Sequence, residues 1–260
     1  LGDLDAAEGT IEYDGSGQSI LADDYFNLEL GGAGTPTAAG NIVCNGTFTL
    51  QNTVDKYSLT TYTHQTVGAT DINDEIEIST GVYDADGSFN ATGGTIDFTG
   101  AGTLKLASTV TSLGTLDELA GTVEYDGGTQ NVLADAYYNL EIDQSGTKTS
   151  QGTVTVAGNM KVNSGSAVYD VGAGNSTTVT GTSDIDGEVV TSSGTYTANG
   201  SSDIDGTVTI STGTYNADGS SDVDGTISIT GTGKYDADAA FDASSGNVTF
   251  TGAGRLECSS

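Results

Sequence analysis

Six aspartates stand in pairs at a fixed interval. Asp184 and Asp186 recur as Asp203 and Asp205, then as Asp222 and Asp224, at a spacing of 19 residues. Each pair sits in one motif: Ser183-Asp-Ile-Asp-Gly187, Ser202-Asp-Ile-Asp-Gly206 and Ser221-Asp-Val-Asp-Gly225. Asp84 with Asp86, and Asp236 with Asp238, repeat the D-x-D spacing elsewhere. Side chains two apart on a strand share a face, so stacked copies would add carboxylates to the same outward line. Like charges about 5 Å apart repel by about 0.8 kcal/mol even at the dielectric of water. Calcium takes six to eight oxygen ligands from flexible sets and would relieve that repulsion by bridging copies. These aspartates are the candidate calcium ligands, weighed against plain solvated charge screened by salt. Neither an EF-hand loop nor a nonapeptide calcium repeat occurs.

Catalysis has little to work with. The basic side chains are Lys56, Lys105, Lys148, Lys161, Lys234 and Arg255, and no two converge in the repeat. Parallel β-helices that cleave polysaccharides need a base or paired carboxylates in a cleft. The carboxylates here form repeating lines instead, and the single histidine, His64, reads as an exposed loop residue. No catalytic residue is assigned and no enzymatic activity is expected.

The charge balance narrows the partners. Six Lys and Arg against 36 Asp and Glu give a formal charge of −30. Such a chain neither neutralises a phosphate backbone nor docks on an anionic membrane, so no nucleic acid is expected as partner. No apolar run approaches the ~20 residues of a membrane span, so no membrane insertion is expected. Leu, Ile, Val and Phe make up 52 of 260 residues, a fraction that with this charge borders on disorder.

Internal repetition overturns that last inference. Residues 9–30 match 121–142 at 14 of 22 positions, and Leu1, Gly2, Leu4 and Asp5 extend the match upstream to Leu113, Gly114, Leu116 and Asp117. Tyr83-Asp-Ala-Asp86 reappears as Tyr235-Asp-Ala-Asp238. The chain is thus one continuous array of two homologous blocks, 1–112 and 113–260, and reads as a window on a longer array. Within the second block, apolar Val208, Ile210, Tyr215, Ala217 and Val223 alternate with polar neighbours, the period-two mark of strands with one buried face. Gly or Ser breaks the alternation every six or seven residues, giving three short strands per 19–20-residue unit.

A unit that small cannot bury its apolar side alone and must stack on its neighbours. The fold class expected is all-β, a right-handed parallel β-solenoid of about 14 coils at 19 residues each. Its narrow core would hold ladders of Ile185, Ile204 and Val223, of Tyr196, Tyr215 and Tyr235, and of Val208 and Ile227. Residues 53–75 break the rhythm and are expected as an irregular coil or a projecting loop.

Other residue types carry weaker signals. Cys44 and Cys258 align with Val156 and Leu106, so both are expected as buried free thiols. Asn45, Asn90, Asn175, Asn199 and Asn247 stand in glycosylation sequons, in a chain rich enough in Thr and Ser for chance matches. Thr153 with Thr155 and Thr207 with Thr209 suggest the hydroxyl array of an ice-binding solenoid. Glu12, Glu124 and Asp97 occupy equivalent positions and are expected to interrupt it.

Residues 121–162 carry Gly121, Tyr125, Gln130, Tyr138-Asn-Leu140 and Gly146-Thr-Lys-Thr149. In these the chain resembles units of the very large repetitive surface proteins of Bacteroidetes-type bacteria. Residues 9–50 keep Gln18, Asn27-Leu28 and Gly34-Thr35 but hold Pro36 where the pattern has Lys148. The resemblance implies an exported, adhesin-like β-solenoid stalk, secreted or displayed on the cell surface. The expected role is a structural or adhesive fibre segment. Expected partners are copies stacked head-to-tail, or a continuing array, and surface glycans. A carbohydrate-binding or carbohydrate-active module is the alternative, and ice binding a lesser one.

Overall fold

Strands of two to five residues, joined at glycine- and serine-rich corners, build the protein throughout. A computed structural model describes residues 8–117 and 119–259, so the upstream match at Leu1, Gly2, Leu4 and Asp5 lies outside the described residues. All described strands pair in parallel with strands three places before or after them, and no helix occurs among the described residues. The protein is a parallel β-solenoid with three strands per coil. It divides into two compact units, Leu1–Glu124 and Tyr125–Ser260.

In the first unit, one face runs from Thr10–Tyr13 to Val110–Ser112 and a second from Ser19–Ile20 to Thr115–Asp117. The third begins at Asp24–Tyr25 and includes Ile42–Cys44, Thr63–Thr66, Val82–Ala85 and Thr103–Leu106. In the second unit the first face runs from Gln130–Val132 to Asn247–Phe250, and the second from Ala136–Tyr137 to Arg255–Cys258. Its third face runs from Asn139–Ile142 to Phe241–Asp242.

Coil length varies more than the 19-residue motif suggests. Thr207 and Thr226 are register partners 19 apart, but Met160 pairs with Ser183 at 23 and Thr10 with Asn27 at 17. The described residues hold 38 strands, fewer than fourteen uniform coils would need. Extra residues go into corners, where strand pairing does not constrain them.

The expected ladders form. Ile185, Ile204 and Val223 are successive register partners, as are Tyr196, Tyr215 and Tyr235, and Val208 and Ile227. The motif explains itself in this register. Its serine points inward, where Ser183 and Ser221 accept hydrogen bonds of 2.9 Å from Tyr196 and Tyr235. Ser202 and Tyr215 pair in the same way at 3.0 Å. Its aspartate points out, its Ile or Val points in, and its glycine is imposed by the corner. A Cβ on Gly206 would lie 1.9 Å from the carbonyl oxygen of Gly187, and one on Gly225 2.0 Å from that of Gly206. Only Gly allows successive corners to approach this closely.

Residues 53–75 are not a projecting loop. Strands Tyr57–Ser58, Thr63–Thr66 and Thr70–Ile72 all join the ladders of the first unit. Three of the inward positions are polar, which hid the alternation: His64, Thr66 and Thr70 are buried beside Tyr57, Leu59 and Ile72. Thr66 and Thr70 pair with the Tyr83 hydroxyl at 3.1 and 3.0 Å. His64 is therefore a core residue, with no exposed surface. Cys44 is buried as expected, its Sγ donating to the carbonyls of Phe26 and Thr47. Cys258 is exposed instead. It stacks on Ala237, and no described coil covers its other side.

Candidate functional site: carboxylate and hydroxyl ladders

The third face of the second unit brings the motif aspartates into line. Lys161, Asp184, Asp203, Asp222 and Asp242 are successive register partners, so one side chain per coil adds to an outward column. Lys161 closes one end, its Nζ 3.2 Å from Asp184 Oδ2 and 3.6 Å from Asp186 Oδ2. Partial burial raises the Asp203 carboxyl above the usual range, reinforced by Asp205, Asp184, Asp222 and Asp186. Asp205 and Asp224 are exposed beside this column. Along it runs an open groove of about 450 Å³ that includes Ser201, Ser220, Asp203, Asp222 and Phe241.

The other aspartate pairs lie elsewhere and have partners of their own. Asp84 stands between Gln65 and Lys105 in the first unit, where Asp86 accepts a 2.8 Å hydrogen bond from Gln65 Nε2. On the second face of the second unit, Asp236 pairs with Lys234 and Asp238 accepts from Ser259. Oxygen ligands suit calcium, but a cation site needs them to converge. Among the described residues no three His, Cys, Asp or Glu side chains gather at a point that would hold a metal ion.

A second acidic column, not recognised in the sequence, crosses the second face of the first unit. Ser58, Glu77, Asp97 and Asp117 are register partners there. Lys56 pairs with Glu77 and holds its carboxyl below the usual range, while Ser58 Oγ donates to it at 2.8 Å. Burial, then Asp117 and Glu77, raises Asp97. The common alternation of Glu75-Ile-Glu-Ile78 and Thr95-Ile-Asp-Phe98 signals this column at a 20-residue offset.

Hydroxyls form the third ladder, on the second face of the second unit. Thr155, Thr178, Thr197 and Asn216 make one column, and Ser176, Thr195 and Thr214 the next. Thr153 joins the array through a 3.4 Å hydrogen bond from Ser176. Lys234 and Asp236 end it. Glu12, Glu124 and Asp97 do not interrupt this array, because they belong to the first unit. Thr207 and Thr209 stand on another face from Thr153 and Thr155.

The basic side chains are all engaged. Lys105 meets Glu124 at 2.7 Å, and Arg255 Nε meets Glu257 at 2.8 Å. Lys148 is wholly buried, donating to the carbonyls of Asp143, Gln144 and Ser145. Burial pushes its ammonium below the usual lysine range. No family model, curated protein or solved structure matches the chain.

Proposed function

We propose that the chain is a structural or adhesive segment of an extracellular or cell-surface fibre, an acidic solenoid whose ends stack on further coils. The observation that carries this reading is the register. The same residue types recur coil upon coil, as in Ser183, Ser202 and Ser221 beside Asp184, Asp203 and Asp222. A surface built this way repeats along its length and offers extension and multivalent contact. An extracellular location rests on the resemblance to repetitive surface proteins.

The coil Phe241–Cys258 is the last of the described ladders, and a further coil, of a continuing array or of a second copy, would seat on it. Its inward-phase residues Phe241, Val248 and Leu256 are only partly covered, and Phe250 is 49% exposed. In a second copy that further coil would be Thr10–Tyr25, whose strand Thr10–Tyr13 carries the partly covered Ile11 in the same phase. Such a head-to-tail contact propagates without closing. Electron microscopy of the purified chain tests the proposal, with filaments supporting it and discrete particles at high concentration opposing it.

A glycan-binding module draws less support. Exposed aromatics are Tyr138 and Phe250, on strands or corners several coils apart, so they make no stacking platform. One observation favours a second reading, contact with ordered water or ice. It is the two-column hydroxyl array, with rows about 4.8 Å apart across coils and columns about 7 Å apart along the strand. Ice growth unchanged by the protein would remove it.

A further inference from the structure

We propose that His64 is an acid-release point: a proton taken up by its ring opens the coil around Tyr57–Thr66 in the first unit, while the second unit stays closed. The ring is sealed in the core. It packs edge-on against Phe48 at 4.4 Å between centroids, with Tyr83 at 5.0 Å and Tyr57 at 5.7 Å. Nδ1 lies 3.0 Å from the Tyr57 hydroxyl, and Nε2 is buried with no hydrogen-bond partner. The neutral ring tolerates that, because one nitrogen can be met by Tyr57. A protonated ring has two N–H donors, and the second has no acceptor.

Among the described residues no counter-charge faces the ring. The strand Ile42–Cys44 contributes Cys44, Phe48–Leu50 contributes nothing titratable, Tyr57–Ser58 contributes Tyr57, and Val82–Ala85 contributes Tyr83. Tyr25 lies behind Tyr57, close enough to perturb it. Burial raises the thiol and these phenols, so all are uncharged in acid. Asp84 alternates outward, and Asp86 bonds Gln65 on that side. An unpaired buried cation is strongly disfavoured.

Burial alone accordingly lowers the imidazole from its ordinary 6.5 to about 3. The opened coil takes up the proton near the ordinary value. Stability from this group is complete above pH 6.5 and falls steadily towards the folded value near 3. The second unit has no such residue, since His64 is the chain's one histidine.

Amide exchange on the full chain between pH 7 and pH 4 tests this. The Val67 and Val82 amides, bonded to the carbonyls of Cys44 and Tyr62, report on the coil, and Asn199, bonded to Val179, reports on the second unit. After correction for intrinsic exchange, opening at Val67 and Val82 should rise about tenfold per pH unit below about 6. It should not rise so at Asn199, nor at Val67 in His64→Phe. An equal slope in wild type and His64→Phe overturns the proposal. Should His64→Phe not fold, the His64 ring resonances of the wild-type chain decide. A ring that stays neutral in the folded chain down to pH 4.5 supports the proposal, and titration near pH 6.5 overturns it.

Discussion

Tyr196 and Tyr215 lie face to face, their ring centroids 4.8 Å apart and their planes 13° from parallel. Tyr235 continues the stack at 5.0 Å and 6°. The ring spacing equals the strand spacing, so backbone pairing sets the geometry and identical side chains inherit it. This is how an acidic chain poor in aliphatics holds a core. Each coil needs few inward residues, and each hydroxyl in this stack meets the serine of its own motif.

Tyr215→Phe should therefore cost about 1–2 kcal/mol, because it strands the Ser202 hydroxyl, which is 2% exposed. The double variant Tyr215→Phe, Ser202→Ala should recover most of that loss, since neither partner is left unmet. Urea melts of the wild type and the three variants check it. Additive losses in the double variant would contradict the pairing.

Gly206→Ala should destabilise by about 3 kcal/mol or more, because its Cβ would meet the backbone oxygens of Gly187 and Asp186. Gly128→Ala is the matched control, with nothing within 4 Å of its Cβ. That substitution should be neutral or stabilising by up to about 1 kcal/mol. Thermal unfolding of the two variants side by side measures the difference.

The acidic column should behave as repulsive charge. Asp203→Asn should stabilise by a few tenths to about 1 kcal/mol at pH 7 and low salt, and the gain should vanish near 1 M salt. The pH sign follows from the raised Asp203 carboxyl, which binds its proton more tightly in the folded state. Its contribution to stability is present in acid and is lost as pH rises through that carboxyl's folded range. Calcium should raise the melting midpoint no more than magnesium at equal ionic strength. A midpoint that drops on chelation would instead assign bridging calcium to Asp184, Asp203 and Asp222.

Lys148→Met should destabilise by about 3 kcal/mol, since the carbonyls of Asp143, Gln144 and Ser145 lose a charged donor. Pro36, the aligned residue of the first block, has no such donor, so substituting it should leave these carbonyls unaffected. Chemical denaturation of Lys148→Met measures the loss.

Much of this fold is legible because period-two alternation and exact 19-residue spacing act together between Ser183 and Asp224. There the inward Tyr, Ile and Ser and the outward Asp could be placed by counting. Counting fails where corners lengthen: Thr155 meets Thr178 across 23 residues, so the hydroxyl array could not be separated from Thr207 and Thr209. It fails again where inward residues are polar, as at His64, Thr66 and Thr70, because the hydroxyls of Tyr57 and Tyr83 meet groups that otherwise read as surface. Lys148 escaped for a related reason. Only the folded loop brings three carbonyls around its ammonium.

Negative-stain and cryo-electron microscopy of the concentrated chain, alongside Phe250→Asp, decide whether copies stack end to end. End-on stacking gives filaments with an axial repeat of about 4.8 Å, lost in Phe250→Asp, whose charge would enter the stacking face. Discrete, monodisperse particles of the wild-type chain at every concentration would contradict it.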